Sequence, residues 1–600
     1  MEHHSTATLV RARAEQPANG MEGAGANSPP RMPARLLQHS SSRGHRYIRR
    51  LRSEGTVLFL LCLGAYLTVA VLLDFHYLSF NGDAVSRMAN GFYVLYSRDP
   101  HLAAIGFVWN PGTSIADLVP LLFYHLWTPL ASHMFAGSLV SAVAMAGAVY
   151  QVRCTLFEWG APRAPRLVLV AILALNGMVV YYGGNGMSEG LYLCSLLAAC
   201  RYLLRWIRNN DLTSLVYAAT ALGLCYIVRN EAVGAAFLGG VVVIVVGYAR
   251  RSDLKTGRLR AALNDAVIFE IPCAVALVGW AVASYVITGS PFEQFTSVYG
   301  TTSQIKVAGH AALRDRLLQD VHDVLYMAPA IPLILIVALV VARRRRDFGL
   351  LAPLAVVGGG LSFDLLAYVD NSIQPWFRYF MTAVPLEVLL VGSLLATAPA
   401  LIPRLRPRPK GRIPSRRWPV AVVSLLGVLT ALLLLVPAEV TTIMGMSNPK
   451  VGFEETQHLT YIFNKHAGAF YEDQRYTYSA EALISNYLVH MHLANGQVIV
   501  DNFSACIPEV ITVSPNPDVF VIPNDRSFQR TLADPLTFHA HYILDVDPTQ
   551  DGTLTAPNIT YPNLWATGDG FTKVAHVFRS YGNCAEFKLL KVIGHPIRNG

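Results

Sequence analysis

Six hundred residues with 53% hydrophobic content and only 14% charged residues carry more apolar material than a water-soluble core needs, and it falls in runs of about 17 to 24 residues, which marks a polytopic membrane protein. A formal net charge of +9 would suggest a nucleic-acid partner in a soluble protein, but here Lys and Arg cluster in short loops between apolar runs, where they set topology, so that class is excluded. Cys62, Cys154, Cys194, Cys200, Cys225 and Cys273 lie in or beside apolar runs without metal-ligand spacing, and they read as small buried apolar residues.

Residues 1–45 are rich in Ala, Gly, Pro, Ser and Arg without apolar periodicity, and are expected to be a disordered cytoplasmic tail. Arg46, Arg49, Arg50 and Arg52 precede the first apolar run, residues 56–74, and by the positive-inside rule keep the N-terminus in the cytoplasm. The following loop, residues 75–130, is then outside. It contains Asn81-Gly82-Asp83-Ala84-Val85-Ser86-Arg87 and later Ser97-Arg98-Asp99-Pro100-His101. On local sequence alone Asp83 suits a helix N-cap as well as it suits catalysis. Residues 113–127 are apolar but short and carry Asp117, Pro120 and His125, which fits a helix lying in the membrane interface better than a span.

Ten further runs follow: 131–151, 167–182, 188–206, 212–228, 231–248, 264–287, 323–342, 348–368, 379–402 and 418–437. With the first they make eleven spans, a transmembrane domain over residues 46–438 and a C-terminus outside. The four later basic loops, 201–208, 250–260, 343–346 and 404–417, all fall inside in this arrangement. Outside lie the ionisable residues that the spans otherwise lack: Glu189, Arg229, Glu231, Asp370 and Arg378. Charges gathered at span ends on one side usually serve a cavity. Trp109 in the first loop reads as an interfacial anchor ahead of a sugar platform.

Residues 439–600 turn polar and read as an extracytoplasmic α/β domain, with a helix over 479–494 and strands over 497–501, 519–522, 541–545 and 586–593. Its two cysteines, Cys506 and Cys584, are expected to form a disulfide in an oxidising compartment.

The acidic first outside loop, then Asn185-Gly-Met-Ser-Glu-Gly190 opening a span, Arg229-Asn-Glu231 between two spans and Arg378-Tyr-Phe380 opening another resemble the GT-C superfamily of membrane glycosyltransferases. That superfamily includes the protein O-mannosyltransferases and the aminoarabinose transferase acting on lipid A. The resemblance covers residues 50–400. It implies transfer of a sugar from a polyprenyl-phosphate donor, with inversion, to an acceptor hydroxyl on a glycan, protein or lipid at the outer face of the cell membrane. It also implies Asp83 as general base, Arg229 and Arg378 as ligands of the donor phosphate, and Glu189 and Glu231 orienting those arginines or the sugar hydroxyls. Asp99 and His101 are secondary candidates for acceptor or metal contact, and a divalent metal is admitted. Where many of the mannosyltransferases carry an Asp-Glu pair, Asp83 is followed by Ala84, which leaves the second acid and the metal open. A transporter or lipid flippase is the competing reading; it predicts charges deep within spans and internally repeated halves, and no repeat is found.

Overall fold

The computed structural model describes residues 34–596, apart from 253–255, 298, 301, 303–304, 306–311, 375, 402–419, 465–473, 505 and 583. Residues 1–33 of the expected tail and the basic loop 404–417 therefore lie outside the described residues, and the helix Ala34–Val71 already runs through residues 34–45.

All eleven apolar runs are helical. Among the described residues eight helices are long and apolar enough to cross a bilayer, and the pair Leu313–Met327 and Ile331–Arg345, bent by 76°, makes a ninth if it counts as one span. The bend has a local cause. Pro329 and Pro332 have no N–H to continue the first helix, and Pro332 lies in the opening turn of the second, where that loss costs nothing. The run at 167–182 is divided at Asn176, whose backbone turns extended and whose side chain accepts from the Met178 and Val179 N–H groups at 3.1 and 3.5 Å, starting a new helix. The run at 212–228 forms a shorter helix of 17 residues. Outward-facing Leu60, Leu61, Val275 and Leu433 are exposed, as lipid-facing side chains are. The region 113–127 gives a helix over Gly112–Leu121 of 10 residues, about 15 Å long and half the depth of a bilayer core. At the last span the sequence pattern places the helix end at Pro437. The helix Val420–Met446 instead carries Pro437 in its interior, as transmembrane helices can.

One expectation from the sequence needs correction: the apolar helices do contain acids. Asp364 in helix Leu351–Val369 and Glu387 in helix Ala383–Leu401 are buried, and Glu387 accepts the Ala330 N–H at 3.0 Å, where a backbone donor is freed by the break at Pro329.

The polar domain holds a five-stranded mixed sheet. Its strands are β1 (Val498–Val500), β2 (Phe520–Val521), β3 (Tyr542–Val546), β4 (Thr572–Phe578) and β5 (Phe587–Val592), ordered β2-β1-β3-β5-β4. The first three are parallel; β5 pairs antiparallel with β3 and β4, with Ile543 opposite Leu590. Sequence reading finds four of these strands and misses β4. That strand is a sheet edge whose Lys573, Val574 and Ala575 are exposed, so it lacks the buried apolar run that marks the others. Cys506 and Cys584 are joined by a disulfide across 78 residues, a loop whose closure contributes about 2 to 5 kcal/mol.

One face of this sheet shares a core with the segment that follows the first span. Val85, Met88 and Phe92 of helix Gly82–Tyr96 pack in the same cluster as Ile484, Leu488, Val500, Ile507 and Phe587. Polar contacts close the rim: Arg98 donates to Asp525 at 3.0 and 3.1 Å and to Ser527 at 2.6 Å, and Asn524 donates to the Ala104 carbonyl at 2.6 Å. The helix that carries Asp83 is thus held by the polar domain, and not only by the spans.

Candidate active site

Asp83 stands in the first turn of helix Gly82–Tyr96, and the helix cap is its neighbour. Asn81 has extended backbone and its side-chain oxygen accepts the Asp83 N–H at 3.1 Å, so the Asp83 carboxylate is left to face outward. It meets Arg378, which lies in the 3-10 turn Phe377–Thr382 that leads into a span; Arg378 Nη2 donates to Asp83 Oδ2 at 2.6 Å. The same guanidinium places Nη1 on Glu454 and its Nε 3.5 Å from Glu189 Oε1, where Nε makes no hydrogen bond.

Glu189 opens the helix Glu189–Asn209 and is shared with Arg229, whose Nη1 lies 2.5 Å away. Arg229 follows the helix Leu212–Val228 in extended backbone, and its Nε reaches Glu231 at 2.6 Å. A third guanidinium, Arg87, approaches Asp83 at 3.9 Å and lies over the Trp109 ring at 4.2 Å. The result is a chain of alternating charge in which Arg87, Arg229 and Arg378 face Asp83, Glu189, Glu231 and Glu454, three cations against four carboxylates. Burial makes each of these charges dependent on its partner. Asp83 is the member most open to solvent, with 28% of its side chain exposed against 4% for Arg378 and 3% for Glu189.

Two cavities meet here. The smaller, about 290 Å³, is lined by Asp83, Trp109, Trp376, Arg378, Glu454 and His458 among others. The larger, about 1130 Å³, runs between helices Ala232–Arg250 and Leu351–Val369 and is mainly apolar, with Phe237, Leu238, Phe363 and Leu366 in its wall. Arg87, Arg229, Glu231 and Asp364 also line it. Val108, Trp109 and Tyr379 belong to both linings. Tyr379 lies between the two central arginines, with the Arg229 and Arg378 guanidinium carbons 5.0 and 5.4 Å from its ring centre. The helices that bound the larger cavity touch at Gly234 and Gly359, where a Cβ on Gly359 would come within 2.7 Å of the Gly234 carbonyl oxygen.

Of the residues singled out from sequence, Asp83, Glu189, Arg229, Glu231 and Arg378 are brought into one network. Asp99 and His101 are not. Asp99 accepts the Arg526 N–H at 3.0 Å and pairs with its guanidinium at 3.1 Å, which ties the first loop to the polar domain, while His101 bonds the Asp99 carbonyl at 2.6 Å within the loop. Trp109, whose sequence position suits a membrane anchor, is half-buried, donates to Ser86 at 3.0 Å and walls both cavities.

Sequence reading misses Arg87 and Glu454. Glu454 lies on the helix Phe453–Phe463, just after the last span, where Glu454, Gln457 and His458 share one face at i, i+3 and i+4 and all line the smaller cavity. That spacing is visible in the sequence, but composition groups the whole segment with the polar domain. Among the described residues the only cluster with metal-ligand spacing is Glu481 with Cys506 and Cys584, whose sulfurs are consumed by the disulfide, and the site's own carboxylates each pair with a guanidinium.

His458 gives a pH signature. It is buried against Ser79, with Nδ1 2.7 Å from Oγ, and burial pushes its pKa down to about 4. Because the folded value lies below the unfolded one of about 6.5, its contribution to stability is complete above pH 6.5 and is lost as pH falls towards 4, a loss of roughly 3 kcal/mol. We expect the melting temperature in detergent to drop between pH 7.5 and 4.5, and to drop less in His458→Gln. Equal pH slopes for the two proteins would show that His458 is not the group responsible.

No family model and no curated protein matches the chain. Solved structures do. ArnT from Cupriavidus metallidurans in the apo state is 14% identical, with 90% of this chain and 98% of that chain covered and a TM-score of 0.49. The same protein bound to undecaprenyl phosphate is 13% identical, with 89% and 97% covered and a TM-score of 0.46. The Archaeoglobus fulgidus oligosaccharyltransferase in complex with Zn and sulfate is 11% identical, with 88% and 73% covered and a TM-score of 0.37.

Proposed function

We propose that this chain is a membrane glycosyltransferase of the GT-C type, which moves a sugar from a polyprenyl-phosphate donor to an acceptor hydroxyl at the outer face of the membrane. The observation that carries the reading is the meeting of two unlike cavities at Trp109 and Tyr379, a mainly apolar one among the spans and a smaller one of mixed aromatic and charged lining that holds Asp83, with arginines at the seam. The isoprenoid chain lies in the larger cavity. Arg229 and Arg378, with Arg87, hold the phosphate at the seam, where guanidinium offers paired donors and stays charged. The sugar then points into the smaller cavity, toward Asp83.

In the reaction Asp83 takes the proton of the acceptor hydroxyl as its oxygen bonds to the anomeric carbon. The bond from that carbon to the phosphate oxygen breaks, and its electron pair leaves on the phosphate, where the arginines meet the growing charge. Attack from the face opposite the phosphate inverts the anomeric centre. Without donor, Arg378 and Arg87 pair with Asp83, and an arriving phosphate competes for those guanidiniums and frees the base. Glu189 and Glu231 keep Arg229 aimed.

A transporter would place its charges along a path through the spans. Asp364 and Glu387 are ionisable residues within spans, but the dense network lies at helix ends, under the polar domain. The test is purified protein in detergent, supplied with a panel of labelled polyprenyl-phosphate sugars. Label reaching an acceptor together with release of polyprenyl phosphate is the expected result, whereas donor movement across proteoliposomes without cleavage would favour the flippase. Sidedness is checked by a tag after Gly600, which should be reachable only from outside the cell.

A further inference from the structure

The smaller cavity bears on the identity of the acceptor, an assignment that rests on the transferase function proposed for this site. Asp83 and Glu454 bind different nitrogens of one guanidinium, Nη2 and Nη1 of Arg378, so the planar fork holds two carboxylates side by side at the cavity wall. Glu454 is fixed a second time by Asn81, the residue that caps the Asp83 helix, so the two acids are set by one local framework although 371 positions separate them in the chain (454 − 83). Each carboxylate has more lone pairs than these contacts use, and each can take an O–H.

The rest of the wall has matching chemistry. Trp109 and Trp376 present aromatic surface, backed by Arg87 at 4.2 Å and Arg378 at 5.3 Å, and Gln374 and Gln457 add side-chain amides that both donate and accept. Aromatic faces for C–H surfaces, with carboxylates and amides at the edges, suit a ring bearing several hydroxyls. A lone hydroxyl would leave the second acid without use. The volume of 290 Å³ lies at the small end of ligand pockets, enough for one or two sugar rings and short of an extended peptide, which advances about 3.3 Å per residue. A long-chain lipid alcohol would follow the more extended apolar lining of the other cavity, since apolar side chains here, such as Trp109, Trp376 and Phe453, alternate with charged and amide groups.

We infer that the acceptor is a carbohydrate, held through neighbouring hydroxyls between Asp83 and Glu454, with Glu454 selecting a polyol over a serine or threonine side chain or a lipid alcohol. Asp83 then activates one hydroxyl while Glu454 holds the next. The second acid that Ala84 fails to supply beside Asp83 comes from beyond the last span.

The test offers the full-length protein a labelled donor and, in separate arms, a panel of methyl glycosides, a threonine-containing peptide or a long-chain alcohol. Label should pass to a glycoside and to neither of the others. Glu454→Gln should raise KM for the glycoside about tenfold or more, with a smaller change in kcat, and Glu454→Asp should recover part of the loss. Transfer to peptide or alcohol as fast as to any glycoside overturns the inference, and so does an unchanged KM in Glu454→Gln that melts normally. Release of polyprenyl phosphate is followed in every arm. If it occurs while sugar goes to the peptide, only the acceptor assignment falls; if it occurs in none, the transferase reading falls and takes this inference with it.

Discussion

Asp83→Asn is expected to lower turnover by about 10² to 10⁴ while leaving the protein folded, the loss usual for a general base. The amide is close in size and cannot take the acceptor proton. Folding should survive for reasons visible around the residue. The helix is capped by Asn81, so no cap is lost, and Arg378 keeps Glu454 and Glu189 as anionic partners. What disappears is the ion pairing of Arg378 and Arg87 with a side chain 28% exposed and a first-turn charge, together about 1 to 2 kcal/mol. Donor binding should persist, because Asp83 competes for the arginines that hold the phosphate and adds no contact to it. The measurement is transfer from the polyprenyl-phosphate sugar, with donor binding and melting on the same samples. A variant that melts like wild type and transfers at near the wild-type rate would remove Asp83 from the chemistry. The role would pass to Glu454, since Asp99 is committed to Arg526.

The parts of this molecule legible from sequence are those written in continuous stretches. Apolar runs mark the helices, and β1, β2, β3 and β5 are short buried runs between turns. The charges at one set of span ends mark most of the network, because each lies within a residue or two of a helix boundary: Glu189 opens one helix, while Arg229 and Glu231 flank another boundary. Legibility stops where contacts join distant segments. Glu454 meets Asp83 through Arg378 and Asn81, and Arg87 is part of the site because its helix leans against a sheet some 400 residues later in the chain. It also stops where a residue plays a part unlike its usual one. Pro437 reads as a helix end and is an interior residue, and Asp99 reads as a loop acid near the site and is a tether for the polar domain.

Arg229→Gln should damage both folding and donor binding, and the two can be separated. In the native protein Arg229 lies between Glu189 and Glu231 with only 10% of its side chain exposed. Removing it leaves Glu231, itself 9% exposed, as a buried carboxylate without its cation, while Glu189 retains Arg378 at 3.5 Å. Breaking one side of such a pair costs about 3 to 5 kcal/mol, a substantial share of the stability of a typical domain. Donor binding should fall as well, by about 10- to 150-fold, the worth of a hydrogen bond to a charged group. A structural role alone would also weaken binding by loosening the site, so the informative protein is the double variant Arg229→Gln with Glu231→Gln. It removes both members of the pair and leaves two amides that can bond each other, so it should regain most of the lost melting temperature. It cannot regain a guanidinium for the phosphate, and donor binding should stay as weak as in the single variant. If binding returns together with stability, Arg229 only braces the site, and the phosphate is held by Arg378 and Arg87.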